Sequence, residues 1–429
     1  MEAMKHLKIG WKTATALVVS NMIGTGVFTS LGYQISGLSN TYAILLLWLI
    51  GGLLALIGAF IYSELASKFK ESGGDYIYLS RTYHPALGYL SSWVSLFVGF
   101  SAPISLAALA MVKYLNVFGL NLGKEFAIGV ILMVAVFQSF SLSLSSKFQN
   151  VFTILKVLFI LLLIGIGIFF TPTIEVSAIN FSNSWQSEIL LPAFATSLVY
   201  VTFAYTGWNS ASYIVGEISQ PKKNLPKALF TGVIFVTICY VLLNYIFLKH
   251  ASVSSLSDQE DVANIAFANI LGQKGVKWIS FFIAFQLIAT ISGYLWIGSR
   301  LTQATAKENK LWNFMAKENQ KKIPTRAIWV HTIISIGLIF TGNFEVIFTY
   351  TSFVLQILAT LAISTAFFIK KSELKIIKSN LFYLLPTIFL GFSLYICYYV
   401  LMDKLTESLI GLGIIGLGFI LYLFDKRIK

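Results

Sequence analysis

The chain has 429 residues, 57% of them hydrophobic and only 11% charged, with a mean hydropathy of +0.78. Soluble domains carry about 25% charged residues, so a soluble globular protein is excluded. The net charge of +13 would suit a nucleic-acid binder, but its distribution along the chain, given below, argues against one.

Apolar runs long enough to cross a bilayer recur throughout. In chain order the predicted spans lie at about 11–37, 41–67, 86–115, 125–145, 149–171, 190–215, 227–249, 276–305, 327–342, 345–369, 380–401 and 406–424. The fold class expected is therefore an all-α integral membrane protein of about 12 transmembrane helices. No small-residue cleavage site precedes the first run, which is expected to be retained.

That first run is interrupted at its midpoint by SNMIGTGVFTS, Ser20 to Ser30. A helical glycine costs about 1 kcal/mol relative to alanine. A helix broken here frees N–H groups at the start of its second half and C=O groups at the end of its first. Those partial charges can bind an anion and a cation side by side. Close helix packing is the plainer use of such glycines.

Lys156 lies in the fifth run, roughly nine residues beyond Lys147 and so about 13 Å deep. A lysine there costs about 2.5 kcal/mol or more without a partner. The sixth run holds a second interruption, FAYTGWNSAS, Phe203 to Ser212, centred on Gly207. It follows the first by five runs, an odd number, which inverts its orientation. The links at about 68–85 and 250–275 occupy equivalent places on opposite faces. Interrupted spans at matching positions of two inverted halves point to a transporter site. The organisation expected is a first repeat over 1–185, a second over 186–372, and two further spans over 373–429.

With the N-terminus inside, only Lys113, Lys124, Lys249, Lys274, Lys277 and Lys404 of the 31 Lys and Arg fall at the outer face, and Lys156 lies within a span. This positive-inside bias places both termini in the cytoplasm of a cell membrane protein and leaves no nucleic-acid partner. Cys239 and Cys397 both fall in spans, so no disulfide is expected. The histidines His6, His84, His250 and His331 are scattered, with His331 expected at an interface. No metal-ligand spacing, nucleophile motif or phosphate loop occurs, so no metal, cofactor or enzymatic activity is predicted. Glu64, Glu217 and Arg300 are expected at inner helix ends or ion pairs. Gln138, Asn244, Gln286 and Gln356 are expected to bond between helices.

At the interruptions the sequence resembles the amino acid–polyamine–organocation (APC) transporter superfamily, nearest to L-type and related bacterial amino acid transporters. MIGTGVF (Met22 to Phe28) resembles the unwound first helix and FAYTGWN (Phe203 to Asn209) the sixth. SGGDYIYLSRTYHPALGYLSSW (Ser72 to Trp93), EISQPKKNLPKAL (Glu217 to Leu229) and GSRLTQATAKENKL (Gly298 to Leu311) match the intervening loops. The resemblance covers most of the first eight spans.

It implies a five-plus-five inverted repeat, the LeuT-like fold, with discontinuous helices 1 and 6, plus two more helices. It implies alternating access for an amino acid. The carboxylate would take the N–H groups of Gly24, Thr25 and Gly26. The ammonium would take carbonyls near Asn21, Met22, Ile23, Phe203, Ala204 and Tyr205. Phe203 aligns with an aromatic gate. Thr206 replaces a glycine of relatives with large substrates and so predicts small side chains; neutral Asn209 predicts neutral ones. Lys156 matches the lysine of sodium-independent members, with Ser292 as its expected neighbour on span 8. Exchange and proton symport both stay open. Animal L-type relatives pair with a glycoprotein through a cysteine between spans 3 and 4; that loop, 116–124, has none here, so no disulfide-linked heavy chain is expected. A polyamine or cationic amino acid transporter of the same fold, a channel and a membrane sensor are the alternatives.

Overall fold

A computed structural model describes residues 9–69, 71–140, 142–170, 179–376 and 379–428, without the side chains of 142–150 and 428. His6 and the Lys147 side chain lie outside the described residues. The described chain is helical, and its only β feature there is a bridge between Ile9 and Ile218. The helices are α1 (Trp11–Met22), α2 (Gly26–Gln34), α3 (Thr41–Phe69), α4 (Asp75–Thr82), α5 (Pro85–Val94), α6 (Ala102–Leu115), α7 (Lys124–Phe140), α8 (Leu142–Phe169), α9 (Pro192–Ala204), α10 (Pro221–His250), α11 (Val262–Ala306), α12 (Thr325–Thr341), α13 (Phe344–Ser364), α14 (Leu384–Asp403) and α15 (Leu405–Ile428). Among the described residues, eight helical stretches are long and apolar enough to cross a bilayer, or nine with the bent pair α1 and α2. α9 and α12 are apolar but shorter.

Local chemistry sets the boundaries. Proline opens α5, α9 and α10, where its missing N–H would have had no partner. Asn343 caps α13 by accepting from the Val346 N–H at 3.0 Å. Between α5 and α6 the helix widens into a π segment, Ser95–Ser101, and the Ser101 hydroxyl donates to the Leu96 carbonyl five residues back at 2.7 Å. In α11, Gly272 adopts φ +64°, which sets residues 262–271 off from the long remainder.

Small residues bring the helices together, as van der Waals packing requires where lipid weakens any hydrophobic drive. On α3, a methyl at Gly51 would lie 2.5 Å from Val201, one at Gly52 2.4 Å from Thr237, and one at Gly58 2.6 Å from the Trp208 ring. The stretch from α5 to α6 is central, with 78% of its apolar window buried, whereas α15 is peripheral at 17%. Exposed Leu49, Leu53, Phe281, Phe285, Leu409 and Phe424 belong to the apolar outer band.

Loop contacts gather at two ends. One end, called here the N-terminal end, holds Ile9 against Glu217, Lys68 against Glu373, and Leu311 against Asp425. Glu64 there accepts the N–H groups of Lys375 and Ile376, which fixes a loop against the end of α3. The far end holds Asn40 against Ser182, Ser39 against Glu188, and Lys404 against Glu345. His331 departs from the interfacial expectation. It is fully buried, 2.9 Å from both the Ser101 and the Thr302 hydroxyls, because these neighbours satisfy its two ring nitrogens without water. Gln138 and Gln356 do bond across helices, to Ser292 and Ser393, but Asn244 donates to Tyr240 of its own helix.

Candidate functional site

Helix α1 stops at Met22 and α2 starts at Gly26, with a 42° bend between them. The turn is made by Ile23, Gly24 and Thr25. The N–H groups of Gly24, Thr25 and Gly26 donate to no protein acceptor among the described residues. The Thr25 carbonyl takes the N–H groups of Phe28 and Thr29 and the Thr29 hydroxyl, which starts α2. The result is a row of free donors at a helix start, the arrangement that binds anions.

The second interruption differs in form. Helix α9 stops at Ala204, a turn follows, and the chain resumes as a 3₁₀ helix, Ser210–Glu217. The Thr206 N–H and hydroxyl both bond the Phe203 carbonyl, at 2.9 and 2.7 Å, which closes the end of α9. Gly207 has φ +97°, a backbone region that glycine alone enters cheaply.

The two interruptions cross each other. A methyl on Gly26 would lie 2.5 Å from the Ala204 Cα, and one on Gly207 would lie 2.8 Å from the Asn21 carbonyl. Each glycine thus admits the backbone of the other span. Gly24 is different: a methyl there would meet only Thr290 Cγ2, at 3.6 Å, an ordinary contact. The crossing brings together Asn21, Met22, Ile23, Gly24, Thr25 and Gly26 with Ala204 and Gly207.

Long side chains hold the first interruption. Lys156 Nζ, buried, donates to the Ile23 carbonyl at 2.9 Å and to the Thr290 hydroxyl at 3.0 Å. Tyr240 donates to the Met22 carbonyl at 2.6 Å, and Tyr114 to the Phe28 carbonyl at 2.9 Å. Thr153 donates to the Ser20 hydroxyl at 2.8 Å. Ser292, the expected neighbour of Lys156, is instead held by Gln138 Nε2 at 2.5 Å. Residues two apart on a helix point about 200° apart, so Thr290 and Ser292 face different neighbours.

Among the expected acceptors, the carbonyls of Met22 and Ile23 each receive one hydrogen bond and keep one lone pair, whereas that of Phe203 is filled by the Thr206 N–H and hydroxyl. Those of Asn21, Ala204 and Tyr205 accept none among the described residues. The Asn21 amide is turned onto its own helix, to Leu17 at 2.8 Å. Tyr205 donates to the Trp48 carbonyl at 2.8 Å. Asn209 donates to the Tyr213 hydroxyl at 3.2 Å.

Phe203 packs edge-on to Phe348 at 4.8 Å, within an aromatic cluster that includes Tyr33, Tyr200 and Phe344. This cluster lies between the interruptions and the far end. There Tyr33 reaches Glu260 at 3.4 Å and the Asp258 N–H bonds Gly32. Burial raises the Glu260 carboxyl above its usual range, partly offset by Lys113. A cavity of about 50 Å³ lies behind the sixth-span turn, against Phe203, Tyr205, Thr206, Gly51 and Gln356. Among the described residues no group of His, Cys, Asp and Glu has a metal-binding arrangement.

Tyr114, Tyr240 and Thr290 were not foreseen. Tyrosines are numerous in the chain, and nothing in their sequence neighbourhoods marks which ones reach span 1.

The amino acid permease family model matches residues 9–420. The mouse b(0,+)-type amino acid transporter 1 is 27% identical over 355 residues, covering 81% of this chain and 72% of the relative. The human large neutral amino acids transporter small subunit 2 is 27% identical over 432 residues, covering 97% of this chain and 79% of the relative. With a family match across nearly its whole length and repeated apolar helices, this multi-pass membrane protein belongs to the amino acid permease family.

Proposed function

We propose that the protein is a sodium-independent secondary transporter of amino acids, with small neutral ones preferred, working by alternating access. The observation that carries the reading is the crossing of two interrupted helices with the Gly24, Thr25 and Gly26 N–H groups uncommitted. A zwitterion suits it: carboxylate on those donors, ammonium on the open carbonyls of Asn21, Ala204 and Tyr205. Phe203 would exclude water from the far end. The relatives' names, an amino acid transporter and a large neutral amino acids transporter subunit, support amino acid transport.

In this reading the chain makes twelve crossings. Residues 1–185 and 186–372 form inverted five-helix repeats, and 373–429 adds two helices. Support comes from matching short helices in the two long links, α4 at the N-terminal end and residues 262–271 of α11 at the far end. The basic loops make the N-terminal end cytoplasmic, with both termini there. Lys156 places a fixed ammonium between spans 1 and 8, where a coupling cation would otherwise bridge them. No disulfide-linked heavy chain is expected through the 116–124 loop, which has no cysteine. The test is a binding screen of all amino acids on purified protein. Saturable binding of alanine or serine, with arginine and putrescine much weaker, agrees with the proposal. Binding of cationic ligands alone would overturn it.

A further inference from the structure

The SGGDYIYLSR segment brings a buried carboxylate, Asp75, to the N-terminal end of the site. Its Oδ1 accepts from the Tyr62 hydroxyl of α3 and its Oδ2 from the Tyr213 hydroxyl at 2.9 Å. Tyr213 belongs to the 3₁₀ half of the sixth span, and its oxygen in turn accepts from Asn209. Asp75 makes no ion pair among the described residues. The groups nearest to it are Tyr62, Tyr213 and Tyr78, with Trp208 edge-on to Tyr62 at 4.7 Å. A buried carboxylate without a cation depends on donated hydrogen bonds, and here two phenols supply them.

The attachments of α4 give this arrangement its meaning. Asp75 stands in the first turn of α4, which is fastened to α5, since Gly88 leaves room for nothing beyond the Ser80 side chain and the Tyr76 carbonyl. Tyr76 also bonds Glu308, just past α11. One side of the Asp75 contact therefore belongs to α5 and α11. The other side belongs to α3 and the sixth span, which pack together through Gly58 and Trp208. The Ser72 hydroxyl accepts from the Gly216 N–H at 3.0 Å, and Gly74, at φ +52°, lies against the Tyr213 ring, so the loop follows the 3₁₀ segment closely. The phenol contacts are thus a buried polar link between two groups of helices at this end.

We infer that Asp75 is a positioning residue that latches the N-terminal end of the molecule shut, by holding Tyr62 and Tyr213 to the α4–α5 unit, and that Asn209 ties this latch to the substrate site. The inference rests on the proposed transport cycle. Opening this end pulls the second half of span 6 away from α4 and breaks the Tyr213 bond first. Asp75→Asn keeps the shape but leaves one phenol O–H without its anionic acceptor. A tie present in only one state stabilises that state alone.

The test needs no substrate, so it stands apart from whether amino acids are carried. Cys239 and Cys397 are replaced by alanine, and spin labels are placed at Lys222→Cys on α10 and Lys307→Cys past α11, both exposed. A second pair, Lys124→Cys and Ser254→Cys, reports on the far end. Asp75→Asn should raise the ratio of long to short distances at the N-terminal end about tenfold, the factor carried by about 1.4 kcal/mol. Tyr213→Phe, which removes one oxygen and keeps the ring, should raise it in the same direction, and Asn209→Leu less. The far-end pair should stay as narrow as in the parent. An unchanged N-terminal distribution in Asp75→Asn and Tyr213→Phe would overturn the latch. So would equal broadening at both ends, which is the mark of general structural damage.

Discussion

Gly26 and Gly24 sit two residues apart, yet the structure separates their roles. A methyl on Gly26 meets the Ala204 backbone at 2.5 Å, and backbone cannot swing aside. Overpacking of this kind costs typically about 1–3 kcal/mol. Gly26→Val should therefore lower uptake by about tenfold or more, and thermal unfolding in detergent should start at a lower temperature. Gly24→Ala should unfold like the parent, because its methyl meets only Thr290 at 3.6 Å. Equal damage from both changes would remove the crossing from the account. Thr206 stands beside the cavity of about 50 Å³ and binds back to Phe203. Thr206→Gly removes a hydroxyl and a methyl from the turn beside the proposed site, and a methylene or two in a substrate pocket is worth about tenfold or more in discrimination. Competition uptake should shift about tenfold toward leucine or phenylalanine over alanine or serine. An unchanged ranking would place Thr206 outside the pocket. These glycines and threonines were legible in the sequence, since a helix-breaking Gly-polar cluster in an apolar run has few purposes. Asp75 was visible only as a loop acid, because its burial depends on Tyr62 and Tyr213, which are distant in the chain.

The broken first span is a short α1 and a short α2 tied down by side chains from α6, α8 and α10. The ties differ in strength. Lys156 donates two bonds, to Ile23 and Thr290, each contributing about 0.5–1.5 kcal/mol. Tyr240 donates a neutral bond to Met22, for which about 0.5–1.5 kcal/mol is typical. Lys156→Ala should thus reduce uptake more than Tyr240→Phe, with reconstituted initial rates as the measure; the reverse order would mean that α10, not α8, fixes the break. At this scale the sequence was a partial guide. The break after Met22 and the tether from span 5 were readable from glycine spacing and from a charge too deep to reach water. The π segment Ser95–Ser101 was not, because its residues are ordinary helix and strand formers and the widening arises from packing against α11 and α12. The second half of span 6 is 3₁₀, which the sequence pattern does not mark. Ser292 and Thr290 could not be separated either, since a two-residue choice on a long helix depends on its rotation.

Across the whole molecule, hydropathy made the class plain, but the count of crossings less so. α9 is short because the sixth span is interrupted after Ala204, and α12 runs only from Thr325 to Thr341, so both are shorter than the eight long apolar stretches among the described residues. His331 misled for a related reason: a polar residue near the start of a span is expected at an interface, yet the π segment offers it Ser101 deep inside. Charge distribution, by contrast, bears on the whole assembly: in the proposed reading, six basic residues at the outer face against many at the other would orient every helix at once. In the proposed reading Lys156 stands at the crossing where a coupling cation would otherwise bridge spans 1 and 8, so sodium independence is the sharpest consequence of that reading. The most direct measurement is uptake of alanine or serine into liposomes containing the purified protein, with external sodium or with choline in its place. The account predicts saturable uptake at equal rates in the two media, with Lys156→Ala strongly impaired in both. Uptake that requires sodium, or no uptake of any neutral amino acid, would contradict it.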